Sequence, residues 1–192
     1  MKKEELQKYL DIQSQRGNDY GGFNHAKRHY DFLYRSFISN SPLSICDLGC
    51  GTGKFPIWVK EVFPQHIVFG IDPVFVTEGN REGVVFLRGD STSIPIGKVD
   101  ILTSFDVMEH IHPEDLEASM AEITRVSETY VTKIAYKPSG SRGVNGEELH
   151  PLVKSPSWWL DYLKIWYKDV KVMNNLFVCT NGGMKFSLGL PG

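Results

Sequence analysis

Residues 47–53 read DLGCGTG, three alternating glycines set between two stretches of different periodicity. Upstream, residues 43–46 are apolar and read as the end of a buried strand. Downstream, residues 54–63 repeat apolar side chains at helical spacing. A strand that passes through such glycines straight into a helix allows few folds. Glycine takes φ > 0 and lets backbone come close to a ligand. The helix behind the turn aims its free N–H groups and its positive dipole end into the same space. Such a turn suits an adenosine-bearing ligand; a tight turn without a ligand is the plain alternative.

The glycine spacing narrows the ligand. A dinucleotide fingerprint is G-x-G-x-x-G, and Lys54 stands where its third glycine would be. A Walker A loop needs a first glycine where this chain has Leu48, and Ser or Thr where it has Phe55.

Beyond the turn, strands and helices alternate. Strands are expected over residues 44–50, 67–71, 84–87, 99–105, 129–136, 170–180 and 184–190, with helices over 54–63, 112–126 and 155–166. Pro113 with two acids behind it and Ser155-Pro156 are helix-start signals. The last two strands are joined by Asn181-Gly182-Gly183, which predicts an antiparallel hairpin. The expected fold is α/β: a doubly wound, mostly parallel seven-stranded sheet with an antiparallel terminal hairpin and an N-terminal helical extension. Residues 74–83 and 91–98 are too short for full crossover helices. Residues 1–40 form the extension, with Leu6, Tyr9 and Leu10 on one helix and Tyr30, Leu33, Tyr34 and Phe37 on another. Residues 41–192 form the core of one compact domain.

A chain of 192 residues, 41% hydrophobic and 23% charged, suits one globular domain. Its net charge of −2 excludes the basic surplus of a nonspecific polyanion binder, so no nucleic-acid partner is indicated. There is no signal-peptide core and no apolar run of membrane-spanning length. These features predict a soluble cytoplasmic protein. Cys46, Cys50 and Cys179, odd in number and without C-x-x-C spacing, read as reduced packing residues.

The run 47–53 resembles motif I of the class I S-adenosylmethionine-dependent methyltransferases: an acid, one apolar residue, then G-x-G-x-G. The order of elements from about residue 41 to 190 resembles the core of that family. The resemblance implies S-adenosylmethionine as cofactor and S-adenosylhomocysteine as product. In such sheets ligands bind beyond the carboxyl ends of the strands, at the switch point beside the first strand. Asp72-Pro73 ends the second strand, and its carboxylate would accept both ribose hydroxyls. Asp90-Ser91 ends the third, where the carboxylate would take the adenine amino group and the Ser91 N–H a ring nitrogen. Asp47, Gly49, Cys50, Gly51 and Gly53 would shape the turn around the methionine end. Each strand-end Asp also fits a plain capping role.

The fourth strand runs into Phe105-Asp106-Val107-Met108-Glu109-His110, which resembles the D-V-x-E-H segment of small-molecule methyltransferases. The resemblance places Asp106 near the methionine part of the cofactor, Phe105 against the adenine, and Glu109 and His110 toward the acceptor. Tyr20, in an aromatic and glycine-rich stretch of the extension, would cover the cofactor; a packed helical cap is the alternative. A hydroxyl acceptor needs a proton acceptor of near-neutral pKa, and His supplies one untuned. His110, His112 and His150 are the candidates in that order. The first two also fit capping or packing, and the third a surface loop. No metal set is recognisable. The expected function is methyl transfer to a small-molecule acceptor, through an oxygen nucleophile. The alternatives are a protein of the same fold that cleaves the cofactor, or a binding module without turnover. A nicotinamide oxidoreductase is disfavoured by Lys54. Acceptor identity and oligomeric state are not legible.

Overall fold

The computed structural model describes residues 3–16, 41–74 and 78–182. The expected second N-terminal helix, the aromatic stretch with Tyr20 and the strand at 184–190 lie outside the described residues.

The first helix, α1 (Lys3–Arg16), precedes the core. The core then runs β1 (Ser44–Leu48), α2 (Lys54–Val62), β2 (Ile67–Ile71), β3 (Gly79–Arg81), β4 (Val84–Leu87), β5 (Ile101–Phe105), α3 (Leu116–Val126), β6 (Thr129–Lys133), α4 (Pro156–Trp166), β7 (Asp169–Met173) and β8 (Leu176–Thr180). Among the described residues the sheet has eight strands in the order β3-β4-β2-β1-β5-β6-β8-β7. The five inner strands β4-β2-β1-β5-β6 pair in parallel, and both edges are antiparallel. This is the doubly wound architecture expected from the alternation of elements.

Each face of the sheet is covered because the parallel strands are buried on both sides. Phe55, Val59 and Phe63 of the α2 segment pack with Ile45, Val68, Val84 and Phe86 on one face. Met120 and Ile123 of α3, with Trp159 and Leu163 of α4, pack with Cys46, Leu102, Tyr130 and Cys179 on the other. The cap of α4 follows its sequence: the Ser155 hydroxyl accepts from the Trp158 N–H with Pro in the first turn.

Two details depart from expectation. Residues 169–180 form a hairpin of their own that turns at Asn174-Asn175, both at positive φ (49° and 61°), whereas the expected turn at 181–183 leads into residues outside the described ones. Two consecutive left-handed residues make the tight turn that matches strand twist, and Asn tolerates that region. The expected single strand 170–180 is therefore itself the hairpin β7–β8. The segment after β2 forms β3, a short antiparallel edge strand, in place of a crossover helix.

The chain leaves β1 toward β2 and β4, then crosses back to β5 and β6 on the other side. The carboxyl ends of β1 and β5 therefore open a crevice between diverging connections. That crevice holds the cavity described next.

Candidate active site

A cavity of about 550 Å³ lies at the carboxyl ends of β1, β2, β4 and β5. Its size falls in the range of small-molecule and cofactor sites. One half is built by the glycine turn. Gly49, Gly51 and Gly53 all take positive φ (71°, 55° and 85°). The Gly49 and Cys50 N–H groups donate to the Ile71 carbonyl, at 2.7 and 3.0 Å, which ties the turn to the end of β2. At Gly49 an added Cβ would meet the Val107 side chain, so even alanine would strain this turn twice, by φ and by overlap.

Acidic groups face the same half. Asp72 is 6% exposed; its two oxygens accept from the Gly51 N–H at 3.0 Å and the Val74 N–H at 2.8 Å. Each carboxylate oxygen can accept more than one hydrogen bond, and this side chain lines the cavity. Asp90 accepts from the N–H and hydroxyl of Thr92 at 2.8 and 2.6 Å. The Ser91 hydroxyl pairs with Ser119 at 2.8 Å. Asp47 is buried and accepts from the Thr103 hydroxyl at 2.8 Å. Burial pushes its carboxyl up to about 8, with the Thr103 bond pulling it back and the Asp72 charge adding to the rise. Phe105 lines the cavity edge-on to Phe55, ring centroids 5.0 Å apart.

The other half carries the expected acceptor-side groups. Asp106, at positive φ (54°), forms an ion pair with Lys133 at the end of β6. Glu109 and His110 sit in the 3-10 turn Met108–His110. Glu109 is fully buried, and its Oε1 accepts from the Ala135 N–H at 3.1 Å. Burial first, and then the Asp106 charge, push its carboxyl up to about 8. The His110 and His150 rings meet at right angles with centroids 4.6 Å apart. Burial, and then the His150 charge, push the His110 ring down to about 4. A ring so depressed is neutral at ordinary pH and offers a lone pair more readily than it stores a proton. His112 stands apart from this cluster, its Nδ1 3.9 Å from Glu114.

The cavity thus brings together Asp47, Gly49, Cys50, Gly51, Asp72, Pro73, Asp90, Ser91, Phe105 and Asp106 with Glu109, His110, His112 and His150. Gly53 is not on its wall; it caps α2 and backs onto Phe86. Tyr20 lies outside the described residues. Three further contributors were not among the candidate site residues. Lys133, at the end of β6, is paired with Asp106 inside the site. Tyr9 of α1 brings its hydroxyl 2.7 Å from His110 Nδ1. Ser139, Gly140 and Ser141 bring the loop backbone onto the wall.

Comparison with known proteins fits this geometry. A family model described as a methyltransferase domain matches residues 21–130, more than half of the 192-residue chain. The chain belongs to this family. The DhpI–S-adenosylhomocysteine complex superposes with a TM-score of 0.64 at 16% identity, covering 94% of this chain and 97% of that one. Magnesium protoporphyrin IX methyltransferase (ChlM) from Synechocystis PCC 6803, with bound S-adenosylhomocysteine, gives 0.59 at 14% identity over 94% and 95%. The methyltransferase in a complex with the Haloferax volcanii Trm112 activator gives 0.51 at 22% identity; 66% of this chain covers 60% of that one. At these identities the likeness establishes the fold. No curated protein sequence matches the chain. The chain is a methyltransferase domain with a Rossmann-like fold, and the DhpI and ChlM structures hold S-adenosylhomocysteine, the spent form of the cofactor S-adenosylmethionine. The site suits that cofactor: a glycine turn with left-handed backbone, and carboxylates at the ends of three successive parallel strands.

Proposed function

We infer that the protein methylates an oxygen of a small-molecule acceptor bound against Glu109, His110 and His150. The observation that carries this reading is the sharing of one 550 Å³ cavity by the glycine turn and the Glu109–His110–His150 cluster. The cofactor half and the polar half are contiguous, so an acceptor atom between them stands beside the methionine end of the cofactor. Bound S-adenosylmethionine supplies an electrophilic methyl group; the chain must hold the nucleophile in line, and such positioning provides much of the acceleration. Asp72 and Asp90 would fix the nucleoside, and Asp47 the amino end. Fully buried Glu109 and the two rings orient the acceptor oxygen. Ser139–Ser141 backbone and the wall beside it exclude water from the polar half.

The cations near this wall support a compact acceptor over a polyanion. Lys133 is neutralised by Asp106, and Arg142 by Glu148 at 2.6 Å. No helix among the described residues is long and apolar enough to cross a membrane.

The test is methyl transfer from labelled S-adenosylmethionine to a panel of phenols, hydroxy acids and carboxylic acids, beside oligonucleotides and peptides. Label on an oxygen of one small acid or phenol is the expected result. Exchanging residues 138–148 for a plain Gly-Ser linker should change acceptor use at least tenfold and cofactor affinity less than threefold. Label only on oligonucleotide or peptide, or only cleaved cofactor, would contradict the reading.

A further inference from the structure

We propose that Glu109, His110 and His150 form a binding site for one divalent transition-metal ion on the acceptor side of this cavity. One ligand atom from each of the three lies within 4.8 Å of the others, close enough to share an ion after small rotations. The hydrogen bonds decide which ring nitrogens keep a lone pair for a ligand role. His110 Nδ1 lies 2.7 Å from the Leu149 carbonyl oxygen, and His150 Nδ1 lies 2.7 Å from the Lys137 carbonyl oxygen. A carbonyl oxygen can only accept, so each Nδ1 carries the hydrogen. Each Nε2 is then left with its lone pair. Fixing both rings through the far nitrogen, on backbone carbonyls, is the arrangement that orients histidine ligands in metal sites. The Tyr9 hydroxyl, 2.7 Å from His110 Nδ1, adds a second restraint on that ring.

The carboxylate gives an independent observation. Glu109 is 0% exposed and lines the cavity. Its Oε1 is satisfied by the Ala135 N–H, whereas its Oε2 is buried with no hydrogen-bond partner. A buried carboxylate oxygen without a partner is costly, and an ion shared with two imidazole nitrogens would remove that cost. The backbone holds the set rigidly: the Leu152 N–H donates to the Glu109 carbonyl at 3.2 Å, which fastens the segment bearing His150 to the turn bearing Glu109.

Two imidazoles and one carboxylate suit a first-row divalent ion such as Mn²⁺ or Zn²⁺ better than Mg²⁺ or Ca²⁺, which prefer oxygen ligands. Three protein ligands leave positions open. On the functional reading above, an open position would take an acceptor oxygen. The metal site itself stands on the geometry and does not require that reading.

The experiment is a titration of chelator-treated protein with Mn²⁺, followed by electron paramagnetic resonance, with Zn²⁺ as competitor. One tight equivalent per chain, displaced by Zn²⁺, is expected. His150→Ala should weaken it at least tenfold, since His150 is a half-buried loop residue and its loss spares the core. Glu109→Gln should weaken it similarly. Both variants should hold S-adenosylhomocysteine within threefold of wild type, which also reports that they fold. Absence of a tight equivalent in protein that binds S-adenosylhomocysteine would overturn the proposal. So would Mn²⁺ binding that neither variant alters. Metal binding without any S-adenosylhomocysteine binding would leave this site standing and remove the methyl-transfer reading.

Discussion

Asp72→Ala is expected to weaken S-adenosylmethionine binding by about a hundredfold or more. Two losses combine. The carboxylate is the one acid at the end of β2, where a charge-assisted contact to both ribose hydroxyls would contribute roughly 1.5–3 kcal/mol per bond. It also holds the cradle, accepting from the Gly51 and Val74 N–H groups. Without it those two buried donors lose their partner, at roughly 1–3 kcal/mol each. The glycine turn is then free to leave the conformation that makes room for the ligand. Asp72→Asn separates the effects. Its carbonyl oxygen can still accept from one N–H, so folding should be closer to wild type while affinity remains at least tenfold lower. Calorimetric titration with denaturant unfolding of both variants checks this. An Asp72→Ala protein that folds and binds as wild type would remove Asp72 from the cofactor site.

The second large effect is on Asp47. Its carboxyl stands at about 8 in the fold, raised chiefly by burial from an ordinary value of 3.8. The folded chain therefore holds this proton more tightly than the unfolded chain. That contribution is fully present below about pH 4 and is lost as pH rises through about 8. Asp47→Asn cannot ionise and keeps an oxygen for the Thr103 hydroxyl. Its unfolding free energy should exceed that of wild type by on the order of a few kcal/mol above pH 8, and the difference should shrink toward acid pH. Cofactor binding should move the other way, because a cationic amino end favours a charged carboxylate. Denaturant unfolding at several pH values, with and without ligand, tests both halves. Parallel stability profiles for the two proteins would contradict the first.

The sequence shows the strands around the site clearly because they are continuous apolar runs buried on both faces. β3 left no such mark: all three of its residues are exposed, and only backbone pairing with β4 makes it a strand. The hairpin β7–β8 was hidden for a related reason. β7 is mostly exposed and its turn is Asn-Asn, so the run 170–180 looked unbroken, although an Asn pair does favour the left-handed turn. In the site, the glycines and strand-end acids were legible because chain order alone puts them at one edge of a parallel sheet. The meeting of His150 with Glu109 and His110 was not. It depends on how residues 134–150 return after β6, fastened by bonds such as His150 Nδ1–H to the Lys137 carbonyl and the Ser139 N–H to Glu148. No local periodicity encodes such contacts. Lys133 was not among the candidates because a lysine at a strand end reads as solvated, and its partner, Asp106, lies 27 residues away in the chain.

The most direct measurement is a calorimetric titration of the wild-type protein with S-adenosylmethionine and S-adenosylhomocysteine. One site per chain with micromolar affinity for both ligands is the expected result. Folded protein that binds neither would contradict the assignment of this cavity to the cofactor.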